Sequence, residues 1–179
     1  MNLWFRVIKV LWFAMFRKPL GPLEESVITL RVWPNDLDVN GHMNNGRYLT
    51  LMDLGRLDLM FRNGLGGLMV RGRWAPIVGT AMIRFRRSLN PLDRFTLRTR
   101  LLAWDDKWFF LEQRFDRNGD AVALGWIKGL FRNRDGNIPP PEILRRLGYT
   151  TASPEMPEAV RAWFQSESKM SWAGRPESE

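Results

Sequence analysis

One long helical stripe set ahead of an almost unbroken run of strands leaves this chain few folds to choose from. Across residues 45–63 the apolar positions Tyr48, Leu51, Met52, Leu59 and Met60 recur at helical spacing, with Leu49 widening the stripe. Gly55 in its middle costs helix stability relative to alanine, so a close approach to a neighbouring sheet is expected there. Gly64, Gly66 and Gly67 predict a loose turn that ends the helix. From residue 68 to 133 the chain reads as strands. Residues 80–87 alternate. Residues 95–103 set Leu97 and Leu101 against Arg98 and Arg100. Residues 107–116 carry Trp108, Phe109 and Phe110, and residues 121–132 place Ala123, Ile127 and Phe131 opposite Trp126 and Lys128. The joints hold turn residues, among them Asn118-Gly119, a strong reversal signal.

A first strand over residues 26–33, with Ile28, Leu30 and Val32 on one face, precedes the helix and stops at Pro34. A broad apolar helix must bury its stripe, and a large antiparallel sheet with one apolar face can receive it. The predicted class is therefore α+β, an antiparallel sheet around one long central helix. Its other sheet face is left open, which favours self-association. The expected organisation is an amphipathic N-terminal helix (1–22), one principal domain (23–137) and a peripheral helical appendage (138–179) with helices over 142–147 and 156–169. No internal repeat is found.

The chain has 179 residues, enough for one domain with its own core. It has no cysteine, which excludes disulfides, thiolate metal sites and a cysteine nucleophile, and fits a reducing, cytoplasmic setting. The formal charge of +8 favours anionic partners. The basic residues form no dense run and no nucleic-acid motif, so nucleic acid is not an expected partner.

Residues 1–16, MNLWFRVIKVLWFAMF, are apolar but interrupted by Arg6 and Lys9. Those charges lie on nearby azimuths, leaving an apolar face of Leu3, Trp4, Val7, Leu11, Trp12 and Met15. The segment can lie on an anionic membrane surface, pack on the protein or a partner subunit, or form a marginal span, for which it is short and charged. Pro19, Gly21 and Pro22 end it.

Reactive and geometry-setting residues concentrate in Asn35-Asp36-Leu37-Asp38-Val39-Asn40-Gly41-His42-Met43-Asn44-Asn45-Gly46-Arg47-Tyr48, between the first strand and the central helix. Asn44 or Asn45 can cap that helix. A carboxylate here faces small molecules beside free helix-start N–H groups, which suit a developing oxyanion. The same residues also make a well-capped loop in which Asp36 and Asp38 only hold backbone N–H groups.

This stretch resembles the signature of the 4-hydroxybenzoyl-CoA thioesterase branch of the hotdog superfamily: an Asp-x-Asp pair, then Gly-His-x-Asn-Asn, then a Tyr three residues on. Asp36, Asp38, Gly41, His42, Asn44, Asn45 and Tyr48 match it, and the layout is similar over about residues 26–133. The whole chain is similar to a membrane-associated sub-branch. The resemblance implies the hotdog fold and hydrolysis of an acyl thioester, with Asp38 as the catalytic carboxylate, acting as nucleophile or as general base. It implies that the backbone N–H around Tyr48 polarises the carbonyl. Asp36, Gly41, His42, Asn44 and Asn45 become loop and helix-cap supports.

The implied partner is an acyl-CoA or acyl-carrier thioester, with no cofactor beyond the coenzyme A of the substrate, and no metal. Coenzyme A phosphates could meet Arg84, Arg86 and Arg87 or Lys128 and Arg132, which otherwise form the outer face of the sheet. The implied assembly is a homodimer or homotetramer, one subunit's Asp38 being completed by strand residues of another, with Gly79, Thr80 and Ala81 as candidates. The alternative on the same fold is a non-catalytic acyl- or lipid-binding protein attached peripherally to a membrane.

Overall fold

The computed structural model describes residues 3–170 as five α-helices and six strands. In chain order these are α1 (Leu3–Phe16), β1 (Ser26–Arg31), α2 (Asn45–Arg62), α3 (Leu65–Gly72), β2 (Ala75–Phe85), β3 (Arg94–Trp104), β4 (Phe109–Arg117), β5 (Asp120–Arg132), β6 (Asn137–Ile138), α4 (Pro140–Arg146) and α5 (Glu158–Glu167). The sheet runs β1-β3-β4-β5-β2, with β6 beside β5 and every pairing antiparallel. Tight turns explain that order. Asn118 and Gly119 both take positive φ (53° and 88°), the reversal that joins β4 to β5 without splaying them.

The sheet wraps α2, as the periodicity predicts. Leu51, Met52 and Leu54 of the helix are fully buried against Ile28, Leu97, Phe115 and Ile127 of four different strands. Gly55 is where helix and sheet come closest. A Cβ there would stand 2.3 Å from Thr99 Oγ1 and 2.9 Å from Gln113 Nε2. The sheet answers with a buried polar link: Gln113 Nε2 donates to the Met52 carbonyl (2.8 Å) and to Thr99 Oγ1 (2.9 Å), while its Oε1 accepts from Arg56 (2.7 Å). An amide placed in a core must be satisfied on both ends, and this one is.

Three expectations are corrected. The expected loose turn and strand beyond residue 64 are replaced by α3. Gly64 (φ +86°) stops α2, Asn63 Oδ1 accepts from Leu65 N–H at 3.1 Å, and the helix restarts. Leu65, Leu68 and Met69 then pack into a second cluster with Trp74, Ile143 and Leu144. Gly66 belongs inside this helix because the Phe61 ring lies 2.8 Å from where its Cβ would be.

Secondly, the outer face of the sheet is partly covered. Phe164 and Trp163 of α5 stack on Phe110 and Trp126, and Glu167 binds Lys128 (2.7 Å) and Thr80 (2.7 Å). Those two donors hold the Glu167 carboxyl below its ordinary range.

Thirdly, α1 divides its surface differently from the expected apolar stripe. Arg6, Val10 and Ala14 are buried, whereas Trp4, Phe5, Ile8, Trp12, Phe13, Met15 and Phe16 are exposed. At 1.5 Å per residue its 14 residues span about 21 Å. No helix among the described residues is long and apolar enough to cross a membrane.

The contact at Gly55 yields a test. Alanine favours a helix over glycine, but here its methyl would drive Thr99 and Gln113 aside. Gly55→Ala is expected to lower stability by about 1–3 kcal/mol in urea unfolding, opposite in sign to its helix propensity.

Candidate functional site

The segment singled out in the sequence folds into a small loop clamped on the start of α2. A 3-10 turn over Pro34–Asp36 leads into a miniature hairpin, with Leu37 bridged to Met43. Asp38 N–H donates to His42 O (2.8 Å), and Gly41 N–H to Asp38 O (3.1 Å). Gly41 takes φ +74°, a conformation that favours glycine at this tight tip. The loop is anchored at its base by Met43 N–H to Leu89 O (2.9 Å) and Asn44 N–H to Asp36 O (2.8 Å).

The two aspartates have opposite surroundings. Asp36 is fully buried. Its Oδ2 meets Arg6 from α1 and accepts from Trp33 N–H (2.9 Å), and its Oδ1 takes a two-pronged contact from Arg47 (3.0 and 2.8 Å). Burial pushes its pKa up, but the Trp33 amide and the two arginines outweigh that and hold the carboxyl below its ordinary range. Asp36 is thus committed to structure. Asp38 sits half-buried at the hairpin tip, where its Oδ1 accepts from the N–H groups of Asn40 (2.8 Å) and His42 (3.3 Å). No side-chain partner holds Asp38 among the described residues, and its Oδ2 is left to solvent or a ligand.

Asn44 caps α2, accepting from Gly46 N–H on Oδ1 (2.8 Å) and from Arg47 N–H on its carbonyl (2.9 Å). Asn45 is the first helical residue, exposed. His42 supports the hairpin through its backbone, as donor to and acceptor from Asp38. The Tyr48 ring points away from the loop into the core, edge-on to Phe85 and Phe115 at 5.0 Å each. Burial raises its phenol pKa, offset in part by a hydrogen bond with the Leu89 backbone. Only the backbone of Tyr48 is therefore available to chemistry at the helix start, where the dipole favours negative charge.

An apolar cavity of about 270 Å³ opens along the second half of α2. It lies between Leu57 and Met60, the start of β2 (Ile77, Val78), Leu130 of β5 and Leu144 of α4. Asp38 precedes the other end of the same helix. Within one chain, carboxylate and cavity lie towards opposite ends of α2, with Asp53, where the cavity lining begins, about 12 Å along the helix from Asn45. No local pattern in the sequence signals this cavity, because its walls come from seven separate elements.

The expected phosphate contacts do not share one environment. Lys128 is engaged by Glu167 beneath the Trp108 ring, and Arg87 pairs with Asp120 (2.8 Å). Arg84, Arg86 and Arg132 are exposed, and no ion pair among the described residues holds them. Asp58 was not singled out by its sequence position. It is buried on α2 and accepts from Ser26 (2.6 Å), Arg17 and Arg62 (3.2 Å each).

The family model described as the thioesterase-like superfamily matches residues 32–164, which include the hairpin, α2 and the whole sheet after β1. The chain belongs to the thioesterase-like superfamily. This thioesterase-type hydrolase is 35% identical to a Danio rerio protein named THEM6 over 99% of this chain and 89% of that one. It is 37% identical to the Xenopus laevis THEM6 over 82% of this chain and 70% of that one. A solved 4-hydroxybenzoyl-CoA thioesterase superposes with a TM-score of 0.62 at 18% identity, covering 69% of this chain and 97% of its own. That likeness carries the hotdog fold: a curled antiparallel sheet around one central helix.

The burial of Asp36 against two guanidinium groups sets a strong expectation. Asp36→Asn leaves Arg6 buried without a counter-charge, so stability in urea should fall by about 3–5 kcal/mol. A carboxyl depressed in the folded state contributes fully above its unfolded value, about pH 4, and loses that contribution as pH falls through its lower folded value. The acid limb of the stability profile should therefore flatten in Asp36→Asn.

Proposed function

We propose that this protein hydrolyses an acyl thioester, most readily an acyl-CoA, with Asp38 as the catalytic carboxylate. The observation that carries the reading is the contrast within the Asp-x-Asp pair. Asp36 has all its acceptor capacity engaged, while Asp38 stands at a rigid hairpin tip before the α2 N-terminus with one oxygen uncommitted. A thioester carbonyl entering there would meet a carboxylate on one side and helix-start N–H groups, those around Tyr48, on the other. Asp38 would either take the proton of an attacking water, the intermediate then collapsing to acid and thiol, or attack the carbonyl carbon itself. Direct attack would expel the thiolate and leave an acyl-aspartyl anhydride that a water then cleaves to free acid and the Asp38 carboxylate.

The separation of Asp38 from the apolar cavity supports a site shared between two protomers. Strand β2 is an edge, 11 residues long, with Ile77, Val78 and Phe85 exposed. Unpaired edges of that length invite a second strand. Antiparallel pairing of two β2 strands would set the Phe85 end of one beside the Ile77 end of the other. Phe85 touches Tyr48, so the α2 start of one protomer would come to the cavity mouth of its partner. The same pairing would bring Arg84 and Arg86 of one chain towards Arg132 of the other, which lies opposite Ala75. Coenzyme A phosphates at that mouth would meet three exposed guanidinium groups, and the acyl chain would enter the cavity. The exposed aromatic face of α1 supports peripheral contact with an anionic membrane surface.

Thiol release from an acyl-CoA panel is the direct test. Asp38→Asn should cut the rate by about 10²–10⁴-fold with acyl-CoA binding retained. Equal rates in both proteins would remove Asp38 from the mechanism, and binding without turnover in both would favour a non-catalytic acyl carrier.

Filling the cavity tests the substrate pocket separately. Leu57→Trp should depress turnover of long acyl chains while sparing short ones. In sedimentation, Val78→Asp on the β2 edge should yield monomers that have lost activity together with self-association.

A further inference from the structure

A second cavity, which Asp38 does not line, separates α1 from β1 and encloses about 630 Å³. Five cations surround it: Arg6, Lys9, Arg17, Arg31 and Arg94. The one carboxylate in its wall is Asp58. That carboxylate is already satisfied by Ser26, Arg17 and Arg62. Asp36, the counter-charge of Arg6, is shared with Arg47. Lys9, Arg31 and Arg94 have no ion pair among the described residues. Positive charge therefore exceeds negative charge around this cavity by several units.

Arg6 stands behind this wall rather than in it. Arg6 is 1% exposed, and its Nε and Nη1 are buried without any hydrogen-bond acceptor. Among the described residues these are the only buried side-chain donors left unanswered. Those two nitrogens are closed to anything the size of water, so Arg6 adds its charge from behind the wall, and the donors a ligand in the cavity would meet are those of Lys9, Arg31 and Arg94.

The strand contributes as well. Val27 O accepts from Arg17 (2.8 Å), not from β3, so the backbone of Val27, Thr29 and Arg31 faces the cavity by strand alternation. The open edge of β1 thus adds N–H donors to the cationic wall.

We propose that this cavity is a binding site for a phosphate monoester. A group carrying close to two negative charges at neutral pH matches the charge excess better than a carboxylate does. Its several oxygens suit planar guanidinium donors converging from two elements. The volume leaves room for the rest of the molecule beyond its phosphate. Phe13 at the rim continues into exposed Trp12 and Phe16, so the phosphate can belong to a lipid headgroup at a membrane or to a soluble ester.

The test uses the full chain and the double variant R31Q/R94Q, which leaves Arg6 and its Asp36 contact in place. Inorganic phosphate and glycerol phosphate are titrated against thermal unfolding at constant ionic strength, with acetate as the control anion. Vesicles of phosphatidylcholine containing phosphatidate, or phosphatidylglycerol matched in total charge, are sedimented with each protein.

The wild type should be stabilised saturably by phosphate but not by acetate, and the double variant should bind at least about tenfold more weakly. A preference for phosphatidate over charge-matched phosphatidylglycerol, lost in the variant, identifies the lipid source. Phosphate stabilisation without that preference identifies a soluble ester. The proposal is overturned if phosphate acts no better than acetate, or if the variant responds as the wild type does. Thioester hydrolysis in the variant should be unchanged, so failure here is separable from failure of the Asp38 reading.

Discussion

The buried carboxylate of Asp36 holds together parts of this protein that the chain otherwise keeps far apart. Arg6 comes from the N-terminal helix, Trp33 from the end of the first strand, and Arg47 from the first turn of the central helix. Each brings a donor to one carboxylate, and the Asp36 carbonyl also accepts from Asn44, the α2 cap. An ion in a core is tolerated only when its whole coordination is met. That requirement fixes the entry angle of α2, the base of the hairpin and the seat of α1 at one point. Asp38, two residues on, takes its position from this clamp.

Much of that arrangement was legible in the residues, though unevenly. The period of α2, the alternation of the later strands and the Asn118-Gly119 reversal are local signals, and each appears where expected. Gly55 announced a close approach, and Thr99 Oγ1 is what it approaches. Helix α3 was missed because Gly66 and Gly67 read as a turn on local propensity alone. Its apolar residues are stabilised by Trp74, Ile143 and Leu144, which lie elsewhere in the chain. Tertiary burial overrides local preference in such short elements.

The candidate site was legible as a cluster of residue types and not in its geometry. Asp36 and Asp38 are two residues apart and chemically identical, and nothing in their spacing tells which is buried. What separates them is Arg6, thirty positions upstream on a helix whose charges read as surface groups. The apolar cavity has no sequence signature at all, since α2, α3, β2, β3, β4, β5 and α4 each give it only a few side chains. Long-range convergence of this kind follows from topology.

The same convergence changes what the N-terminal helix can be. A segment this aromatic invites description as a detachable anchor, with the domain beginning after it. Its buried stripe argues otherwise. Arg6 neutralises Asp36, Arg17 reaches both Asp58 and the open edge of β1, and Arg62 clasps the Lys18 carbonyl just past the helix end. Removing α1 would take from the buried Asp36 one of its two guanidinium partners. The helix is therefore part of the folding unit while its opposite face presents Trp4, Trp12 and Phe16 to the outside. The helix that presents those rings also holds Asp36, through Arg6, at the base of the loop that carries Asp38. Experiments on any surface those rings contact belong on the outward rings, because truncation would perturb the clamp before it reported on the surface.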